Sequence, residues 1–287
     1  MIEKVDDIRL LAVVGAGTMG LGIAQLAAMA NIKTILFDID EEILKKAHDA
    51  IIKNLDKGIE KGKINEALKA QTLENITLEK DINNIKADFI IEAVVERLEV
   101  KHSIFKQLEE INSQGTILAT NTSSIPITQI AEALKRPHNV VGMHFFNPAH
   151  IMKLVEVISG ASTNEHVVKL TYDLAVKLGK TPVSAADSPG FIVNRVARHF
   201  YVESLKIAEE NLADFKTIDK LIRASGFKMG PFELMDLIGV DTNFSVTTSM
   251  FNAFHQDSKF RPSRIQQQKV DAGHHGRKAG QGFYNYE

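Results

Sequence analysis

Arg9-Leu10-Leu11-Ala12-Val13-Val14-Gly15-Ala16-Gly17-Thr18-Met19-Gly20 is the stretch that decides the fold of this chain. Arg9 to Val14 reads as a short buried strand, and Met19 to Ala30, rich in Ala, Ile and Leu, reads as a helix. Lys33 to Phe37 reads as a second strand, which completes one βαβ unit. A glycine pattern alone is weak. Here it follows a strand, opens a helix and is answered by an acid, Asp38, at the end of the next strand. In that context Gly15, Gly17 and Gly20 provide the tight turn and close backbone approach that a pyrophosphate needs at a helix N-terminus. Thr18 and Met19 lie within the same turn, and Asp38 is placed to accept a ribose 2′-OH.

No Arg accompanies Asp38-Ile39-Asp40, and a carboxylate there repels a 2′-phosphate, so NAD is expected in preference to NADP. The competing reading is another α/β turn in which Asp38 caps the following helix. Absence of Gly-Lys-Ser or Gly-Lys-Thr at the turn argues against a phosphate-hydrolysing loop.

Further apolar runs at Phe89 to Ala93, Thr116 to Ala119 and Val140 to Met143 alternate with helical stretches such as Val100 to Ile111, which implies a mostly parallel sheet. Glu41 to Lys61 is long, Lys-rich and amphipathic, and Lys63 to Leu73 reads as the second arm of a helical hairpin projecting from that sheet. After Asp187-Ser188-Pro189-Gly190 the pattern becomes helix upon helix, at Ile192 to Asn211, Thr217 to Ala224 and Asp241 to Phe254. A boundary after residue 187 follows, with domains 1–187 and 188–287. The last glycines, Gly273, Gly276, Gly280 and Gly282, mark turns, and Phe283-Tyr284-Asn285-Tyr286 is expected to tuck against the body.

The 287 residues are 44% hydrophobic, enough to build two cores, and a formal charge of −2 gives no reason to expect a nucleic-acid or membrane partner. The absence of Cys excludes disulfides, thiolate metal sites and cysteine nucleophiles. No metal site is expected. The N-terminal residues lack an apolar core region, and no apolar run is long enough to span a bilayer, so a cytoplasmic location is the expectation.

Proton-transfer groups stand well apart from the glycine turn. His144 in Met143-His144-Phe145-Phe146-Asn147-Pro148 is expected just after a strand, at the carboxyl edge of the sheet, where open α/β sheets bind ligands. Glu156, at the end of the next strand-like run, is close enough to hold one imidazole nitrogen and fix the tautomer. Oxidising a secondary alcohol requires such a base for the hydroxyl proton. Asn121-Thr122-Ser123-Ser124 offers hydroxyl and amide donors, with helix capping of Ile127 to Leu134 as its plainer role. Asn194 falls in the first turn of the helix that opens the second domain.

Taken together, the glycine turn, Asn121 to Ser124, His144 to Pro148, Lys153 to Val157, Pro189 to Arg195, Met229-Gly230-Pro231 and Gly276-Arg277-Lys278 resemble the 3-hydroxyacyl-CoA dehydrogenase family, of the short 3-hydroxybutyryl-CoA dehydrogenase type. The resemblance covers essentially the whole chain. It implies an α/β Rossmann-type N-terminal domain with an inserted helical hairpin, followed by an all-α C-terminal domain that forms a homodimer. It also implies NAD-dependent oxidation of an (S)-3-hydroxyacyl-CoA substrate. By position it makes His144 the general base, Glu156 its partner, and Ser123 and Asn194 the residues holding the C3 oxygen and thioester region. It adds Glu96, Lys101, Asn121 and Asn147 to the cofactor site, and places Asn54 and Lys61 of the hairpin at the CoA moiety, beside Lys53, Lys57 and Lys63.

Two departures from the family pattern stand out: His150 in place of Pro, and Arg198-His199 in place of an apolar residue and Pro. The stretches Asp241 to Phe244 and Phe251 to Phe254 resemble the 3-hydroxyadipyl-CoA branch, whose acyl chain ends in a carboxylate, and Arg198 is the residue expected to meet it. The rival readings are a lambda-crystallin-like sugar-acid dehydrogenase and a dinucleotide-binding protein without turnover. Met229, Phe232, Leu234, Met235 and Leu237 are expected to form a dimer surface or else to fill their own core.

Overall fold

The computed structural model describes residues 2–286, which form two compact units divided between Ser188 and Pro189. The first unit begins with β1 (Leu10–Val14), α1 (Thr18–Met29) and β2 (Lys33–Phe37), then the helical pair α2 (Glu41–Glu60) and α3 (Glu66–Glu74). Next come β3 (Ile76–Glu79), β4 (Phe89–Glu92), α4 (Leu98–Ile111), β5 (Ile117–Thr120), α5 (Ile127–Glu132) and β6 (Val140–Phe145). It ends with β7 (Leu154–Ser159), α6 (Glu165–Lys177) and β8 (Thr181–Ala186).

Among the described residues these strands make one eight-stranded sheet in the order β3-β2-β1-β4-β5-β6-β7-β8. Strands β4, β5 and β6 are buried along their whole length, as expected for strands covered on both faces. The sheet is parallel through β6; β7 then pairs antiparallel with β6, and β8 runs parallel to β7. That reversal, absent from the expectation, puts His144 inside β6 instead of just beyond it, directly opposite Glu156 in the middle of β7. The strands β3 and β8 and helix α6 were not distinguished in the sequence, where short or mixed runs carry little periodic signal, and the strand-like run expected to end at Glu156 continues to Ser159 as β7.

Helix α2 buries Leu44, Ala47, Ile51 and Leu55, spaced three or four apart, and Asp40 caps its N-terminus through Glu42 N at 2.8 Å. The hairpin leaves the sheet but does not stand free of it. Asn54 Nδ2 donates to Gln25 Oε1 on α1 at 3.2 Å, and Gln71 and Asn75 both donate to the Ala28 carbonyl.

The second unit contains α7 (Val193–Glu209), α8 (Phe215–Ala224), α9 (Pro231–Ile238), α10 (Val240–Ala253) and α11 (Arg264–Asp271). Its core gathers Tyr201, Leu205, Ile218, Phe232, Met235, Val240 and Phe283. Phe232 and Met235 are therefore core residues, whereas Leu237 is exposed, so the five residues expected either to form a dimer surface or to fill their own core divide between interior and exterior. The final segment does tuck in. Asp236 accepts Phe283 N, Tyr284 N and Tyr286 Oη–H, while Asp219 accepts Tyr284 Oη–H at 2.8 Å. A Cβ on Gly282 would lie 2.1 Å from the Asp236 carboxylate, which is why a side chain is excluded there.

Candidate active site

The glycine turn is built for a close approach from outside. Gly15 adopts φ +102, and a Cβ on Gly20 would fall 1.7 Å from the Gly15 carbonyl oxygen, so these two shape the turn itself. Gly17 is different: a Cβ there would meet nothing within 4 Å, and both Gly17 and Thr18 are exposed at the N-terminus of α1. Space in front of unpaired helix amides fits a pyrophosphate. Met19 is half-buried behind them, packed against the core. Asp38 does not cap α2, a role taken by Asp40; its Oδ2 accepts Ala16 N at 2.9 Å and ties the acid to the turn.

A continuous line of backbone hydrogen bonds runs along the carboxyl edge of the sheet from this turn toward His144. Ala93 N donates to the Val14 carbonyl, and Asn121 N to that of Glu92. The Asn121 side chain then accepts Phe145 N at 2.8 Å, so this residue buttresses the end of β6. Asn147 lies exposed beyond it, before Pro148, across a cis peptide bond.

Between these points lies a buried charge cluster. Lys101 on α4 is 1% exposed and donates to both oxygens of Glu92, at 2.7 and 2.9 Å, and to Glu96 at 3.2 Å. Glu96 uses its other oxygen as a clasp for the Thr122-Ser123-Ser124 loop. Oε1 accepts Thr122 Oγ1–H at 2.6 Å, Ser123 N at 2.9 Å, Ser124 N at 3.1 Å and Ser124 Oγ–H at 3.2 Å. Burial pushes the Glu96 carboxyl up, but the Lys101 charge and the Thr122 and Ser123 donors outweigh it and hold the group below the usual carboxylate range. Lys101 thus acts on the loop from beneath, through Glu96.

His144 and Glu156 form a buried pair, 6% and 0% exposed, with Nδ1 and Oε2 separated by 2.8 Å. Nδ1–H donated to a carboxylate leaves the lone pair on Nε2, the state required of a proton acceptor. The Phe146 ring stands 4.6 Å from the imidazole and limits its tilt.

Of the expected hairpin residues, Lys61 is exposed with Lys53, Lys57 and Lys63, whereas the Asn54 amide is half-buried and engaged with Gln25. Asn194 is the second residue of α7, half-buried in the second unit. Ser123 and Ser124 do not cap α5. Instead Asp187 accepts Ile127 N at 2.9 Å and Thr128 N at 2.8 Å, a cap supplied from 60 residues away.

Three supporting groups escaped the sequence reading. Glu92 had a visible signal, as an acid ending the apolar run Phe89-Ile90-Ile91. Asp187 and Lys180 had none. Lys180 donates to the carbonyls of Ala149 at 2.6 Å and Met152 at 2.8 Å, pinning the loop that follows His144, and burial pulls its ammonium down to about 8.

Residues 10–188 match the family model described as 3-hydroxyacyl-CoA dehydrogenase, NAD binding domain, and residues 190–286 match its C-terminal domain. The chain is 47% identical over 282 residues to the 3-hydroxyadipyl-CoA dehydrogenase of Escherichia coli (strain K12), covering 98% of this chain but only 59% of that longer protein. It is 40% identical to a probable 3-hydroxybutyryl-CoA dehydrogenase of Deinococcus radiodurans, over 96% of this chain and 99% of the relative. Its fold superposes on the crystal structure of an (S)-3-hydroxybutyryl-CoA dehydrogenase from Ralstonia eutropha with a TM-score of 0.94, at 38% identity, covering 98% and 99% of the two chains.

Proposed function

The chain belongs to the 3-hydroxyacyl-CoA dehydrogenase family, an NAD-binding family, and from that premise we propose that it interconverts short (S)-3-hydroxyacyl-CoA thioesters and their 3-oxoacyl forms. The observation that carries the reading is the buried His144–Glu156 pair at the end of the sheet that also carries the glycine turn. Bound NAD supplies the acceptor for the hydrogen that leaves C3 with its electron pair.

The chain's own groups handle the rest. His144 Nε2 takes the hydroxyl proton as the C3 carbonyl forms, and Glu156 stabilises the imidazolium that results. In the reductive direction the same nitrogen returns the proton. Ser123, held by the Glu96 clasp, and Asn194 orient the C3 oxygen and thioester. The exposed Gly17 and Thr18 amides receive the pyrophosphate, and Asp38 the ribose, with Asn121 and Asn147 lining the nicotinamide side. Lys61, with its neighbouring lysines, is placed for the CoA phosphates.

The C-terminal unit carries exposed Val196, Leu221, Phe227, Leu237 and Ile238, apolar surface that supports a homodimer. Sedimentation tests it. A cytoplasmic location belongs to the same reading, and the cysteine-free composition is compatible with a reducing compartment. Among the described residues no helix is long and apolar enough to cross a membrane. A 3-hydroxyadipyl thioester, the substrate in the name of the E. coli relative, is the second reading, favoured by Arg198, whose charge has no carboxylate partner among the described residues.

The test is to mix purified protein with acetoacetyl-CoA and NADH at neutral pH and follow nicotinamide absorbance, with NADPH in parallel. Rapid loss with NADH and little with NADPH is the expected result. No turnover of any 3-oxoacyl thioester would overturn the reading.

A further inference from the structure

Lys180 is a buried cation to which the proposed chemistry gives no task. It stands between α6 and β8 on a firm mount: its own N–H donates to the Ala175 carbonyl at 2.9 Å, and Thr181 N to that of Lys153 at 2.8 Å. Only 8% of the residue is exposed, and burial is the one influence on its ammonium, with no carboxylate beside it among the described residues. An ammonium held out of water without a counter-charge is costly. What Nζ has in place of water is the pair of carbonyls of Ala149, at 2.6 Å, and Met152, at 2.8 Å.

Those carbonyls belong to the connection between β6 and β7, residues 146–153. Upstream, Phe145 is fixed by its pairing with Val155 and by the Asn121 side chain. Downstream, Lys153 is fixed by Thr181. Between these anchors the chain forms a turn in which the Pro148 carbonyl accepts Ile151 N at 3.0 Å and Met152 N at 2.9 Å, and Lys180 ties that turn to the sheet. Its other side seats on α1, where a Cβ built on Gly22 would lie 3.1 Å from Ala149 Cβ and 3.4 Å from His150 N. Helix α1 opens at the glycine turn, so Lys180 and Gly22 together set where the exposed Asn147 stands relative to that turn. All of these residues belong to the first unit.

We propose that Lys180 is a positioning residue for the cofactor: by holding the turn at 148–152 against α1 it keeps Asn147 at the nicotinamide side, and it acts on NAD affinity instead of on proton transfer. The inference rests on the functional reading in which Asn147 lines the cofactor site.

Lys180→Met keeps an apolar stem and removes the donors, so the two carbonyls lose their partner and the turn must shift to hydrate them. If the turn then holds its productive position about a tenth of the time, the Kd of NADH, read from its fluorescence without substrate, and the KM for NADH both rise about tenfold. At saturating NADH kcat should stay within about threefold, because strand pairing and Glu156 hold His144 independently of the turn. The discriminating measurement repeats the substitution in an Asn147→Ala background, where it should raise Kd by less than about twofold. A general loosening of the fold would raise Kd equally in both backgrounds and lower kcat as well, and that result overturns the proposal. If Lys180→Met does not fold, Gly22→Ala carries the test from the opposite side: Ala favours the helix while its methyl pushes on Ala149, and the same background-dependent rise in Kd is required. Unchanged Kd in Lys180→Met, with an unaltered protein that binds NADH and reduces acetoacetyl-CoA, removes this inference alone. An unaltered protein that binds no NADH removes the dehydrogenase reading with it.

Discussion

Replacing Glu156 by Gln is the sharpest perturbation of the proposed chemistry. Gln keeps the size of the side chain and an oxygen that accepts His144 Nδ1–H, so the tautomer and the strand pairing across β6 and β7 survive. What is lost is the negative charge facing the imidazolium that forms as His144 takes the substrate proton. With charge centres about 4 Å apart and an effective dielectric near 20, that attraction is worth roughly 4 kcal/mol. The amide dipole replaces part of it, leaving about 2–3 kcal/mol and a fall in kcat of about 30- to 150-fold. The assay is steady-state oxidation of 3-hydroxybutyryl-CoA, with KM for NAD and the thermal midpoint measured on the same preparations. KM for NAD should change little, because no cofactor contact is assigned to Glu156. The midpoint reports separately on whether the fold tolerates the change, so that a fall in kcat is not mistaken for unfolding. A kcat within about threefold of the original would refute the argument that this carboxylate stabilises the protonated imidazole.

Gly17→Ala should leave folding within about 0.5 kcal/mol, because the new methyl meets nothing and the backbone there is extended, yet weaken NAD binding by about tenfold or more in a titration. Unchanged affinity would move the pyrophosphate elsewhere. Lys101→Met strands the buried Glu92 carboxylate and should cost about 3–5 kcal/mol in denaturant unfolding, much of it recovered when Glu92→Gln is added; a double variant as unstable as the single would reject the pairing. Glu96 has its pKa held below the usual carboxylate range, so the folded state keeps the carboxylate charged where the unfolded chain takes up a proton. Its contribution is therefore present above the ordinary carboxylate pKa and is lost as pH falls through the depressed value. Lower protection of the Ser123 and Ser124 amides, relative to the intrinsic exchange rate at each pH, is expected on acidification, and Glu96→Gln should abolish that change in protection.

Legibility followed the range of the interactions. The turn and the elements flanking it depend on neighbours within a few residues, and the expected Lys33 to Phe37 strand and Glu41 to Lys61 helix appear as β2 and α2 within a residue. Glycine placement was equally local, since Gly15 and Gly20 are demanded by their own backbone and its close approach. The helical pattern of the second unit was visible at α7, α8 and α10 because their apolar spacing is long and regular. Helix α9 and α11, each eight residues long, gave too few periods to stand out.

By itself the sequence determined a dinucleotide turn on a mostly parallel sheet, a helical second half, and the identity of the residues available for proton transfer. Each of these rests on local spacing, capping or side-chain chemistry. Only the tertiary structure decided how those residues are supported. Strand β7 reverses direction, and that register sets Glu156 against His144. Lys101 disappears beneath Glu96 because α4 packs back against the end of β4 and sets the ammonium on Glu92. Arg198 has no carboxylate partner among the described residues, because α10 presents it Asn243 and Thr247 and α7 the Tyr201 ring. Burial and charge pairing depend on how whole elements pack on one another, which the spacing of residues along the chain does not specify.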